Sequence, residues 1–371
     1  MEKRWWQQDF LTLYSMHTSF VAADTIGWSL AMLYFYKHGV PLAWLFIFFL
    51  VQFGTIYVVL INAHRFVARH MFIYSFCIRI LVLLLLSIFF KPSLVYIAAA
   101  LQATAIFAYW VPFNAIYFKD SEGKQQTFLA ALYAGITPTL GLVLPPLMGV
   151  VAESFGYSTV FLLGALVMFI PLTLSFKMPM HTIEFNASKS AVRHKKVSML
   201  IFLNGLLDSI AIVAIPLFVL QFITSEIKLG IFLSYLGLAG IIGSLILTRI
   251  SDIFHAKRLF IFPLTIFLGV IIMLLGFYAH NFYLFLIFAG IFSMINVLVY
   301  PFLIRVAFDS YSHITDAVIA RETILYLGRF AGVLLLTASF VWLNTPSYAF
   351  IIVGTATMLY PYFIWKNKLY A

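Results

Sequence analysis

Charge is what this sequence has least of. Only 10% of its 371 residues are Asp, Glu, Lys or Arg, while 63% are hydrophobic. A soluble globular domain carries roughly 25% charged residues, so the composition excludes that class. Cysteine is as scarce. Cys77 is the one in the chain, which excludes an internal disulfide and a cysteine metal site. No GxxxxGK[ST] loop occurs, so no ATP engine is encoded. No GxSxG elbow appears, and no His, Cys and carboxylate cluster has metal-ligand spacing. No cofactor and no enzymatic chemistry are expected, and any coupling must draw on an ion gradient.

What is present is apolar length. Phe alone contributes 40 residues, and the mean hydropathy is +1.03. A membrane-spanning helix needs about 20 apolar residues. Polar punctuation leaves twelve such runs, near 10–36, 41–61, 71–90, 92–118, 127–152, 157–178, 197–222, 229–248, 259–279, 282–305, 319–342 and 347–366. Strict alternation over about ten residues, the mark of a membrane β-strand, is missing. The expectation is an all-α polytopic membrane protein. The opening MEKRWWQQDF reads as an interfacial aromatic anchor before an uncleaved first span, not as a signal peptide.

The formal charge of +10 has two readings, an anionic partner or basic loops. Twelve spans put both ends on one side. That side collects Lys3, Arg4, Arg65, Arg69, Lys119, Lys124, Lys189, Arg193, Lys195, Lys196, Arg249, Lys257, Arg258, Lys366 and Lys368; the other has Lys37, Lys91 and Lys228. Cytoplasmic loops hold the excess of Lys and Arg. Both termini are therefore expected in the cytoplasm, in a multi-pass protein of the cell membrane with no nucleic-acid partner. The longest polar connection, residues 179–196, divides six spans from six. The boundaries expected are 1–178, 179–196 and 197–371. Asn186 to Ser188 matches a glycosylation sequon, discounted because it lies on the cytoplasmic side.

The two sets of spans share sequence. WVPFNAIYFKD at 110–120 aligns with VYPFLIRVAFD at 299–309, with Pro, Phe and Asp matching at an offset of 189. Two six-helix sets related by an axis along the membrane normal are a known transporter plan. PPLMGVVAESFGYSTVFLLGAL at 145–166 resembles the fifth-to-sixth helix passage of the major facilitator superfamily. Gly141, Pro145, Pro146 and Gly149 resemble its antiporter motif, with Pro145 where the motif has glycine. LTRISDIFHAKRLF at 247–260 resembles its loop motif through Asp252, Lys257 and Arg258. The equivalent loop INAHRFVARHMF at 61–72 has His64 in place of the acid, and the fourth span, LQATAIFAYW, lacks an arginine that many proton-coupled members carry. The resemblance implies twelve helices in two pseudo-symmetric six-helix bundles and alternating access. It also implies a gate in which Asp252 approaches a helix N-terminus, where the dipole favours a carboxylate; the plainer reading of Asp252 is a solvated loop acid. Helix five would bend at its proline pair, approach its neighbour through Gly141 and Gly149 and lie at the seam between bundles, or else be a lipid-facing kink.

An ionisable group at mid-membrane costs roughly 2.5–3.5 kcal/mol to insert and is a functional candidate by default. Asp24 in the first span and Asp208 in the seventh occupy corresponding places, as DTI and DSI at an offset of 184. The resemblance implies that spans one, four, seven and ten line a central cavity, where the two acids would face each other. Three uses are open: proton carriers, counter-ions for a cationic solute, or acids paired with a base to hold helices together. Arg329 lies about 15 Å into the eleventh span at about 1.5 Å per residue and would balance an aspartate. Arg79, about 12 Å into the third, reads as snorkelling or as a structural pair. His17 lies two turns before Asp24 on the same face. With Gln102, Trp110, Asn114, Asn204, Asn296 and Tyr300 it completes a candidate substrate cavity of aromatics and a few polar groups; each of these is equally usual as packing.

The function expected is secondary transport of a small organic solute, coupled to protons, with export favoured, by a monomer in contact with lipid. Uptake by symport or facilitation is the nearest alternative. Of other classes, a membrane enzyme lacks a nucleophile or metal site, and a transport-inactive sensor or scaffold lacks a large cytoplasmic domain.

Overall fold

The computed structural model describes residues 2–120, 126–184, 186–193, 195–253, 257–309, 314–343 and 345–369, with side chains over 10–117, 135–184, 186–187, 189–191, 196–246, 261–300, 316–343 and 345–369. The first set of spans is α1 (Glu2–Trp28) with the short α2 (Ala31–Lys37), α3 (Leu42–Asn62), α4 (Ala68–Ile88), α5 (Leu94–Asp120), α6 (Gln126–Phe155) and α7 (Tyr157–Ser175). A short connection, α8 (Ala187–Arg193), follows. The second set opens with α9 (Lys195–Ser209), a π-helical turn (Ile210–Ala214) and α10 (Ile215–Phe218). It continues with α11 (Glu226–Ile253), α12 (Lys257–Phe277), α13 (Phe282–Asp309), α14 (Ile314–Leu343) and α15 (Ser347–Met358) with α16 (Tyr360–Lys366).

Among the described residues, ten spans are long and apolar enough to cross a membrane, and Ile261–Phe277 of α12 is a shorter apolar helix. The span outside that set, α1, is diluted by His17, Asp24 and several Ser and Thr residues. Its polar side chains are affordable because the helix packs on α6 and α7 instead of standing in lipid. The first apolar run is also not one rod: the helix breaks at Ser29 and Leu30 before α2 resumes. In the seventh span the π turn sits just before Pro216. A proline removes one amide donor and crowds the carbonyl four residues back, and a wider turn relieves that crowding.

Packing repeats between the two sets. The pairs α3–α5, α4–α5 and α4–α7 recur as α11–α13, α12–α13 and α12–α15. The sets meet along two seams, α6 with α11 and α3 with α14. These seams are equivalents of each other when the second set is laid on the first, so the contact is reciprocal.

The connection between the sets is folded. Strand β1 (Arg65–Val67), in the loop after α3, pairs antiparallel with β2 (Thr182–Glu184), with Arg65 opposite Glu184 and Val67 opposite Thr182. Phe66 and Ile183 are buried beneath the pair. The amide of Ala68 donates to the His181 carbonyl at 2.8 Å, and Arg69 Nε donates to the Met178 carbonyl. The loop that sequence presents as an eroded motif is therefore occupied in holding the connection.

Candidate functional site

A cavity of about 450 Å³ lies between the two sets of spans. Asp24, Thr25, Trp28 and Ser29 line it from the first span, and Thr137, Pro138, Gly141 and Pro145 from α6. Ala211 of the π turn, with Leu233, Leu236, Gly237 and Gly240 of α11 and Ser293 and Val297 of α13, closes the other side. Its wall is apolar apart from a few hydroxyls, the Trp28 indole and one carboxylate, that of Asp24.

Asp24 is the exposed member of a polar chain. Its side chain is 36% exposed, while that of its partner Arg79 is 1% exposed. Arg79 Nη1, from α4, donates to Asp24 Oδ1. The guanidinium also lies over the Phe20 ring, 4.7 Å from its centroid. With its amide oxygen turned inward, Gln102 of α5 accepts from Arg79 Nη1 at 3.0 Å and from Trp28 Nε1 at 3.1 Å. Asp24, Arg79, Gln102 and Trp28 thus form a chain whose two ends both reach the cavity. Arg79 is the structural pair foreseen as one of its two readings, and it does not snorkel.

A second pair repeats the chemistry in α9 and α14. Arg329 donates to Asp208 Oδ2 from Nε at 2.9 Å and from Nη2 at 2.6 Å. The side chains are 13% and 6% exposed, and the guanidinium lies 4.7 Å from the centroid of the Tyr326 ring. The helices can close this far because two glycines face each other: a Cβ on Gly205 would stand 2.7 Å from the Gly328 Cα. Asp208 and Arg329 are not among the residues lining the cavity. Arg329 therefore balances an aspartate as expected, and that aspartate is Asp208; of the two acids, only Asp24 opens onto this cavity. Each acid has its own arginine, because rotation about the helix axis turns Asp208 toward α14.

A third ionic group went unnoticed in the sequence. Arg321 Nη1 donates to Glu322 Oε1 at 2.6 Å, Asn114 Nδ2 of α5 donates to the same oxygen at 3.2 Å, and Arg321 Nη2 donates to the Tyr300 hydroxyl at 3.3 Å. Arg321 and Glu322 are both buried. They sit in adjacent positions near the start of α14, two and three residues into the run expected from 319, where charges at a membrane interface are ordinary and burial leaves no signal.

The seven residues expected around a substrate cavity have other surroundings than this cavity's wall. His17 is buried, its Nδ1 2.7 Å from the Tyr109 hydroxyl and its ring stacked on Phe113 with centroids 4.3 Å apart. Trp110 meets His17 edge-on. Gln102 holds Arg79, Asn114 holds Glu322 and Tyr300 accepts from Arg321. Asn204 and Asn296 each bury a side-chain oxygen with no partner among the described residues. None of the seven lines the cavity. The signal available for this cavity's lining was spacing: Thr25, Trp28 and Ser29 lie one, four and five positions after Asp24.

The helix-five motif lies at a seam, as its resemblance implies. A Cβ on Gly149 would stand 2.7 Å from the Glu226 carbonyl, and one on Gly230 would stand 2.5 Å from that of Pro145. Gly141 behaves differently, since a Cβ there would meet nothing within 4 Å; it opens onto the cavity. Pro146 cannot donate to the Leu142 carbonyl four residues back. Ser234 Oγ of α11 donates to that carbonyl instead, at 2.5 Å, so the neighbouring helix satisfies what the proline leaves open. At the end of this seam Lys37 Nζ lies 2.6 Å from Glu226 Oε1, and Ser225 Oγ donates to Glu153 at 2.8 Å. The side chains of Asp252, Lys257 and Arg258, and those of Pro301, Phe302, Asp120 and Asp309 in the repeat, lie outside the described residues.

A sequence profile of the Major Facilitator Superfamily matches residues 10–333. No individual curated protein matches the chain significantly. The match takes in both seams, the cavity and both aspartate–arginine pairs; the chain belongs to the Major Facilitator Superfamily, as a multi-pass membrane transporter and not an enzyme.

Proposed function

We propose that this transporter carries a small organic solute through the cavity between two six-helix halves, 1–178 and 197–371, joined by 179–196. It works as a monomer in the cell membrane. The basic loops put the connection and both termini in the cytoplasm, and the helix-five motif favours export. The single observation that carries the reading is the asymmetry of the Asp24–Arg79 pair, since the acid is one-third open to the cavity and the base is fully buried. A carboxylate so placed can exchange partners with the cavity's contents, whereas its arginine cannot. A proton taken up by Asp24 leaves Arg79 with Gln102 and the Phe20 ring, so the buried cation keeps partial compensation during the exchange. Solute and proton then alternate at one carboxylate, which is the requirement for exchange.

A thermal-shift screen against small organic compounds identifies the solute, because a ligand that binds the folded state raises its melting temperature. Flux of that solute into or out of proteoliposomes is then measured under an imposed pH gradient. Flux driven by the gradient, and uncoupled from it in Asp24→Asn, is the expected result. Gradient-independent flux unchanged by Asp24→Asn removes the proton from the mechanism, and the direction of driven flux separates export from uptake.

A further inference from the structure

We infer that the connection between the halves is a folded strap that holds the molecule shut on its own side and must release before that side opens. The inference rests on the alternating-access reading for its purpose, but its geometry stands by itself. Three features make the connection taut. Strand β2 is paired to the loop between α3 and α4, so residues 182–184 travel with the first half. Three positions later α8 begins, and it packs on both α3 and α14, the two helices of one seam. Two positions after α8 ends, α9 begins the second half.

Slack is therefore small at both ends. From Glu184 to Ala187 the chain spans at most about 10 Å when fully extended. The seven residues of α8 cover about 10 Å as a helix, at about 1.5 Å per residue, and more than twice that if extended. Moving α14 away from α3 on this side must undock α8, melt it or unzip β2. Undocking is the lightest of the three, because β2 is held by a full register of strand pairing and by Arg69 and Ala68 beside it. The docked face is specific. Ala187 and Ser190 are each 2% exposed, and Ser190 Oγ lies 3.3 Å from Asp316 Oδ1 in the first turn of α14. A larger side chain at 187 has no room in the docked state, and alanine at 190 deletes the polar contact with the second half.

The full-length chain carries the test, with Cys77→Ser removing its one native thiol and Thr137→Cys placing a probe on the cavity wall. Membrane-impermeant maleimide is applied from the strap side and, separately, from the opposite side of oriented vesicles. Ala187→Phe and Ser190→Ala are expected to raise strap-side labelling by roughly tenfold and threefold, the scale of losing one buried contact. A cleavable thiol cross-link between cysteines at 190 and 316 is expected to suppress strap-side labelling until it is reduced. Unchanged strap-side labelling in the two undocking variants, or undiminished labelling in the cross-linked chain, overturns the strap. Raised strap-side labelling with no fall from the opposite side upholds the strap and instead refutes alternating access.

Discussion

Asp24 with Arg79 and Asp208 with Arg329 are the same chemical pair placed twice; the acids lie in spans that correspond between the two sets, whereas Arg79 comes from the third span of the first set and Arg329 from the fifth of the second. They differ in where the acid points. Asp24 leans into a cavity while its arginine is sealed behind it; Asp208 and Arg329 are sealed together, 6% and 13% exposed, with two charge-assisted hydrogen bonds between them. A buried pair whose two members satisfy each other is architecture, since removing either leaves an uncompensated charge. A pair with one member in contact with solvent or solute can change partners. The lesson is that the identity of an intramembrane acid says little about its role until its exposure and its arginine are known.

The largest expected effect lies in the sealed pair. Arg329→Met should cost about 3–5 kcal/mol of stability, because it strands Asp208, and a lowered midpoint of thermal unfolding in detergent reads this. Replacing both partners with apolar residues, as Arg329→Met with Asp208→Leu, should recover most of that loss. If the double variant is as unstable as the single one, the sealed pair has a task beyond holding α9 to α14. The open pair should respond in the reverse proportion. Asp24→Asn keeps an oxygen for Arg79 and should cost about 1–2 kcal/mol, yet it should abolish the response of transport to a pH gradient. Equal destabilisation by Arg329→Met and Asp24→Asn would erase the distinction drawn here.

Smaller effects test what surrounds the pairs. Gly230→Val should cost about 1–3 kcal/mol by overpacking against the Pro145 carbonyl, whereas Gly141→Ala, with open space beside it, should be near neutral for folding and alter only the cavity's shape. Ser234→Ala strands the Leu142 carbonyl and should cost about 1 kcal/mol, visible as the same shift in unfolding midpoint. Lys37→Ala should change stability least, by about 0.2–1 kcal/mol, because Lys37 is 36% exposed and such pairs are screened. A loss above about 3 kcal/mol there would make the Lys37–Glu226 contact a sealed pair like Asp208–Arg329.

Much of the architecture was legible in the chain. Hydropathy marks a span because lipid offers the backbone no partner, so each crossing must be one long apolar helix. Most of the spans found among the described residues lie within about five residues of the expected runs, from Leu42–Asn62 against 41–61 to Ser347–Lys366 against 347–366; the first run, 10–36, is instead two helices, Glu2–Trp28 and Ala31–Lys37. Prolines announced where α6 would need a neighbour to complete its backbone bonding, and glycine spacing announced its seam. The site was legible only in its anchor. Asp24 stood out because a charge in an apolar run is costly, but Arg321 and Glu322 did not, since a charged doublet near a span's end looks like loop. The fold of the connection, with β2 and α8, gave no periodic signal, as three- and seven-residue elements are too short to show one.

Sequence alone determined the class of molecule, the number and course of its spans and the presence of a few acids too expensive to be accidental. All of these follow from local transfer free energies, which add along the chain without reference to what packs where. Tertiary structure alone decided which arginine each aspartate meets, which acid sees the cavity, that His17 belongs to an aromatic core and that Ser234 completes the helix Pro146 interrupts. Those outcomes depend on the rotation of each helix about its own axis. Rotation is fixed by neighbours from distant sequence, such as Gly328 against Gly205, and not by the residues of the helix itself.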